Sequence, residues 1–231
     1  MPEICPVKLR KFKRFVKRWC WTNLADDIFP HDEVFDFYEW INKTPYPKYR
    51  KQELTEVYER GLSRKPNKKV KAFIKDESYP DYKHVRGIYS RHDDYKCRVG
   101  PFFQKLGDII FSKKWFIKKI PVNDRPKWIM DKFGNQHNIF CTDFSQFEAT
   151  FVDKLMSVEL IVYRFLLRKH PRHDEIIKTI VSGMTGKNNI QFYSWIMNVS
   201  CKRMSGEMNT SVSNGFMNLL LTHFLLRRSR K

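Results

Sequence analysis

The clearest hydrophobic rhythm in the chain lies near its carboxyl end, where Met208, Val212, Phe216, Leu219 and Leu220 recur at steps of three and four. That period places them on one stripe of a helix, entered through the turn-forming pair Ser205-Gly206. Thr210, Asn214 and Asn218 fall at i, i+4 and i+8, so a second stripe is lined by small hydrogen-bonding side chains. A capped core helix with solvated polar residues would show the same pattern. A helix presenting donors and acceptors to a polar ligand would show it too, and the context decides between them.

The same reading predicts other elements. A long apolar helix spans Val152 to Arg168, with Leu155, Met156, Leu160, Tyr163, Leu166 and Leu167 inward, and stops at His170-Pro171. Residues 101 to 120 predict a buried helix, and 32–43 and 51–61 predict shorter ones around the Thr44-Pro45-Tyr46-Pro47 turn. Lys8 to Trp19 is a basic amphipathic segment with Phe12, Phe15, Val16 and Trp19 on one face. It reads as a helix docked by its aromatic stripe, with an RNA- or membrane-facing helix as the alternative. Around Ala72–Lys75, period-two spacing puts Lys71, Phe73 and Lys75 on one face and Ala72, Ile74 and Asp76 on the other. Residues 189–195 and 196–201 read as two strands of a hairpin. Asn138 to Asp143 is an apolar run ending in a carboxylate, a strand with Asp143 at its tip. The fold class is α+β, with a soft boundary near 120 to 137.

Charge narrows the partners. The 231 residues carry 44 Lys and Arg against 25 Asp and Glu, a formal +19, with 42% hydrophobic and 15% aromatic residues. The hydrophobic share supports a substantial core and argues against wholesale disorder. The positive excess favours a polyanionic partner, nucleic acid first and an anionic membrane surface second. No apolar run approaches the roughly 18 residues of a membrane span, and the amino terminus lacks the apolar region of a signal peptide. The cysteines at 5, 20, 97, 141 and 201 are odd in number and include no Cys-x-x-Cys pair. That speaks against a disulfide framework or a zinc ribbon and for a reducing, intracellular setting.

Three segments carry candidate chemistry, in this order. Lys71-Ala-Phe-Ile-Lys75-Asp-Glu77, with Arg86-Gly-Ile-Tyr-Ser-Arg91 after it, is a ribbon of cations able to grip phosphate oxygens. Asn138-Ile-Phe-Cys-Thr-Asp143 is followed by Phe-Ser-Gln-Phe-Glu148, and Arg203-Met-Ser-Gly-Glu-Met-Asn-Thr210 runs on to Asn214. Together they resemble motifs F, A and B of the RNA-dependent RNA polymerases of positive-strand RNA viruses. The likeness is closest to the tombusvirus-like group, whose motif B reads R-M-S-G-[DE]-M-x-T-x-x-x-N, and it covers roughly residues 70 to 226.

The resemblance implies a right-hand polymerase: residues 1–135 as a fingers region with the basic ribbon, 136–231 as an incomplete palm with a small antiparallel sheet. Asp143 would be the catalytic carboxylate and ligand of Mg²⁺ (or Mn²⁺). Glu148, Thr210 and Asn214 would read the ribose, with Ser205 and Gly206 in a flexible loop over the nascent base pair. Lys75, Arg86 and Arg91 would hold the triphosphate. Partners would be template and product RNA and nucleoside triphosphates, in the host cytoplasm or a membrane-associated replication complex.

Two departures from the family qualify this. Glu148 stands where the family commonly has Asp, keeping the acceptor but lengthening it by a methylene. No Gly-Asp-Asp occurs in the chain, and 17 residues follow Asn214, so the resemblance implies a partial sequence lacking motif C, inactive by itself. Nucleotidyl transfer uses two divalent ions roughly 3.5 to 4 Å apart, and half of their carboxylate cage is missing. The rival reading is a non-enzymatic basic RNA-binding protein, with aromatics stacking bases and cations holding phosphates. Reverse transcriptase is a third, which an acceptor at 148 disfavours because recognition of the 2′-hydroxyl marks RNA.

Overall fold

A computed structural model describes residues 3–136, 138–144, 147–200 and 202–227. Among these residues eight α-helices and four strands make an α+β fold. Helix α1 (Pro6–Leu24) buries Phe12, Val16, Trp19, Cys20 and Leu24, while Lys11, Arg14, Lys17 and Arg18 stay at the surface. It is the docked basic helix that its aromatic stripe predicts. Helix α2 (Phe37–Lys43) starts later than expected because Asp36 caps it, accepting the Glu39 N–H at 2.6 Å. Helix α3 (Lys48–Glu59) follows the double-proline turn.

Helix α4 (Asp93–Ser112) begins well before the expected 101 and runs through Pro101. The His92 ring accepts the Asp94 N–H at 3.2 Å, and Asp93 and Asp94 occupy the first turn, where the helix dipole favours negative charge. Val99, Phe102, Phe103, Leu106 and Ile110 are all buried, and that packing outweighs the ~3 kcal/mol an internal proline costs. Helix α5 (Arg125–Phe133) buries nothing. Then come α6 (Asp153–Leu166), α7 (His173–Met184), strands β3 (Lys187–Phe192) and β4 (Trp195–Ser200), and α8 (Thr210–Leu226).

The earlier strands are β1 (Val70–Ile74) and β2 (Gly87–Arg91), and the sheet order is β2-β1-β3-β4. The β1–β2 and β3–β4 pairs are antiparallel but β1–β3 is parallel, so the sheet is mixed rather than antiparallel. Register sets its faces, since alternate residues point to opposite sides. Lys71, Phe73, Ser90, Asn189 and Gln191 share one face; Ala72, Tyr89, Ile190 and Met197 share the other.

Phe12, Phe102, Tyr163, Ile180 and Phe216, from α1, α4, α6, α7 and α8, belong to one core. Residues on both sides of the expected 135/136 division thus share a core as well as a sheet. The expected strand ending at Asp143 is not formed. Residues 138–144 have no regular structure, with Phe140 91% exposed. No helix among the described residues is long and apolar enough to cross a membrane.

Candidate functional site

A groove of about 820 Å³ opens on the Ala72–Tyr89–Ile190 face of the sheet. Its floor is apolar, with Tyr89, Ile190, Met197 and Met204. Its polar lining comes from three places: Arg86 before β2, Glu148 in the short turn Phe147–Thr150, and Lys202, Arg203 and Ser205 on the approach to α8. Three residues that the sequence nominated separately, Arg86, Glu148 and Ser205, therefore line one hollow.

Behind that lining runs a polar chain into the core. Half-buried Glu148 accepts a hydrogen bond from the Asn214 amide at 2.8 Å. The Asn214 carbonyl oxygen accepts one from Arg203 at 2.7 Å. Arg203 also pairs with Glu159 of α6, and both side chains are almost wholly out of water. Tyr163 donates to Glu159 at 3.2 Å and lies 2.5 Å from the Ser213 hydroxyl. The Arg203 guanidinium also stands 3.9 Å from the Phe151 ring centre. Burial lowers Arg203 to about 10, against the pull of Glu207 and Glu148, so it remains a cation at neutral pH. Core charge thereby fixes where the Asn214 amide points, and Asn214 fixes Glu148.

The Ser205-Gly206 pair is tied down rather than free. The Tyr89 N–H donates to the Ser205 hydroxyl at 3.2 Å, and that hydroxyl lies 3.3 Å from the Gly87 carbonyl. The Gly206 N–H donates to the Tyr89 carbonyl at 2.9 Å, a bridge that runs parallel to β2. A Cβ at 206 would stand 2.7 Å from that same carbonyl oxygen, so this approach of backbone to backbone requires glycine. Thr210 opens α8 and donates its hydroxyl to the Met204 carbonyl at 3.2 Å, closing the turn between them.

The three expected triphosphate cations divide. Arg86 is open to solvent and stands 3.5 Å from Glu77, which also pairs with Lys75. Hydrogen bonds from Lys75 and then Tyr79 hold the Glu77 carboxyl below its usual range. Arg91 departs from its expected role. Its side chain is buried, and it donates to Glu207 at 2.6 Å, to the Lys68 carbonyl at 2.8 Å, to Asn188 at 2.7 Å and to the Gly183 carbonyl. It is a tie between β2, α7 and β3, with its nitrogens engaged inside the protein.

Asp143 is exposed on the irregular segment, and its neighbour Phe144 lines the groove. Ser145 and Gln146, between the two carboxylates of this motif, lie outside the described residues. A carboxylate is the donor Mg²⁺ takes, usually one or two from protein with water and substrate phosphate completing the shell. Asp143 fits that donor set. No group of three or more His, Cys, Asp or Glu close enough to hold an ion together occurs among the described residues.

Sequence reasoning missed Lys202, Arg203 and Glu159. Arg203 stood in the motif without a role. The signal for Glu159 was a carboxylate flanked by Val158 and Leu160 in the mainly apolar stretch 155–167. In comparisons with known proteins, no family model matches this chain, and no curated protein matches it either.

Proposed function

We propose that the groove selects ribonucleotides for template-directed RNA synthesis, and that the chain is the nucleotide-selecting part of an RNA-directed RNA polymerase. The single observation that carries this reading is the 2.8 Å Glu148–Asn214 hydrogen bond behind a hollow that Arg86 and Ser205 also line. A ribose 2′-hydroxyl is both donor and acceptor, and an amide beside a carboxylate can answer both capacities. Arg86 offers a forked donor to phosphate oxygens, with Lys75 behind it across Glu77.

Asp143 would hold Mg²⁺, which when bound lowers the barrier by activating the attacking hydroxyl and neutralising the leaving phosphates. The chain's own residues bind and orient: the carboxylate–amide pair the sugar, the cations the triphosphate, the apolar floor the base. No Gly-Asp-Asp occurs in the 231 residues, so the remaining carboxylates for bond formation would come from outside them. Template and product RNA are the implied partners, in the host cytoplasm or at a membrane-associated replication complex.

Binding tests the reading without requiring turnover. ATP is expected to bind the protein in Mg²⁺ roughly 5- to 10-fold more tightly than 2′-deoxy-ATP, about the value of one hydrogen bond. Glu148→Gln and Asn214→Ala are each expected to erase most of that ratio. Equal affinities in the unaltered protein would remove the proposal. The rival, a basic RNA-binding protein without catalysis, accounts for +19 equally well and predicts RNA binding with no preference for the ribose hydroxyl of a single nucleotide.

A further inference from the structure

The opposite face of the sheet carries a second cleft, of about 640 Å³, that the groove chemistry does not use. It lies between β1, β3, the start of α4 and the 206–208 segment. Alternation along β1 brings Lys71 and Phe73 to this side, Lys69 lines it from just before the strand, and pairing of Lys71 with Gln191 brings Gln191 and Asn189 beside them. Five cations line the cleft against two carboxylates. Both carboxylates are already answered: Asp93 by Arg50 and Lys96, and Glu207 by Arg91. Lys69 and Lys71 are exposed and form no ion pair among the described residues.

We propose that this cleft is a second site for a phosphorylated nucleoside, separate from the groove and independent of the ribose-selection reading. The unpaired ammonium groups of Lys69 and Lys71 take the phosphate. The Phe73 ring, half exposed at the cleft wall, supplies a face for the base, and the Asn189 and Gln191 amides supply donors and acceptors to its edge. The volume lies in the range of small-molecule sites, ~300–1,000 Å³. Two sources present this chemistry, a free nucleotide and a nucleotide within an RNA strand. The exposed Arg64 and Lys65 upstream of β1 would track the neighbouring phosphates of a strand.

The test is a fluorescence anisotropy titration with two probes, labelled ATP and a labelled oligouridylate decamer, in an Arg86→Gln background that weakens the groove. Lys69→Gln/Lys71→Gln is expected to weaken at least one probe by about 10-fold. For the decamer it should also flatten the salt dependence by about 1.4 log units per log unit, ~0.7 for each lost phosphate contact on a single strand. Phe73→Ala is expected to weaken the same probe about 5-fold or more, while inorganic pyrophosphate competes as before. Loss for ATP and decamer together assigns the site to free nucleotide, and loss for the decamer alone to a strand; either supports the site. All three positions are exposed, so an unchanged thermal midpoint separates lost binding from lost folding. Unaltered affinity for both probes in the double lysine variant overturns the proposal. So does pyrophosphate competing as well as ATP with Phe73→Ala inert, which would leave a plain anion patch. The ATP to 2′-deoxy-ATP ratio of the Arg86-containing protein belongs to the groove, so its absence would sink that reading and leave this one standing.

Discussion

Arg203 shows how one side chain joins the interior to the groove, and its replacement is the sharpest residue-level experiment. Arg203→Met would leave the Glu159 carboxylate buried without its partner, which costs about 3–5 kcal/mol, read as a fall in the urea midpoint. Arg203→Met combined with Glu159→Met is expected to recover most of that loss, because apolar replacement of a whole buried pair is often neutral or better. A double variant no more stable than the single one would show that the ion pair is not what Arg203 contributes. Gly206→Ala tests a different physics. The added methyl meets a backbone oxygen that cannot rotate away, and a loss of about 1–3 kcal/mol is expected in the same assay. Glu148, Ser205, Gly206 and Asn214 were nominated through the resemblance to motifs A and B, and the structure brings Glu148, Ser205 and Asn214 to one region. The partnership of Arg203 with Glu159 was not, because local pattern carries no information on which charge a distant helix will bury. Arg91 misled for the same reason. An arginine in a basic ribbon reads as a phosphate ligand until folding sets Glu207, Asn188 and two carbonyls around it.

At the scale of elements, period-based reading worked where one face had to be buried and failed where a strand needed an edge to join. The stripe of α1 was legible because Phe12, Val16 and Trp19 repeat at helical steps, and they dock against the core with Trp19 donating to His223 of α8 at 3.2 Å. Trp19→Ala is therefore expected to cost about 3–5 kcal/mol. Replacing Lys11, Arg14 and Arg18 on the opposite face with Gln should shift the urea midpoint by no more than ~0.5 kcal/mol per site. A large loss from the surface cations would mean the helix is held by charge rather than by its stripe. The apolar run at 139–141 shows the converse. Its composition favours an extended chain, yet a strand also needs a neighbour's hydrogen bonds, and among the described residues the sheet is completed by β1 and β2 joining β3 and β4 instead. That parallel β1–β3 contact joins residues more than a hundred positions apart, which no local pattern reports, so the antiparallel sheet implied by the resemblance gives way to a mixed one. Helix α7 was passed over because its twelve residues follow directly on the proline stop that ended α6.

For the whole molecule, acid and salt separate the forces that hold the fold from those that hold a partner. Asp94 is the clearest acid-sensitive group. Burial works to raise its carboxyl, but hydrogen bonds from Arg98, the Ser63 and Asn67 N–H groups and the Ser63 hydroxyl outweigh it and hold the value at about 2. A carboxyl depressed by folding adds stability that is fully present above its unfolded value, about 3.8, and is lost as pH falls towards the folded one. The urea midpoint should thus drop between about pH 4 and pH 2, and Asp94→Asn should flatten that drop while removing up to ~2 kcal/mol at pH 7. Salt should leave this largely untouched, because groups shielded from solvent are weakly screened. RNA affinity should respond in the opposite way: a formal +19 acts on a partner through phosphate contacts and counterion release. Each contact with a single strand contributes a slope of about −0.7 in log affinity against log salt. A slope of −3 or steeper, measured by titrating the decamer between ~50 and ~200 mM salt, would correspond to four or more phosphates held together. A slope near zero with undiminished affinity would mean that the charge excess serves something other than a nucleic-acid backbone, and both RNA-based readings would lose their common support.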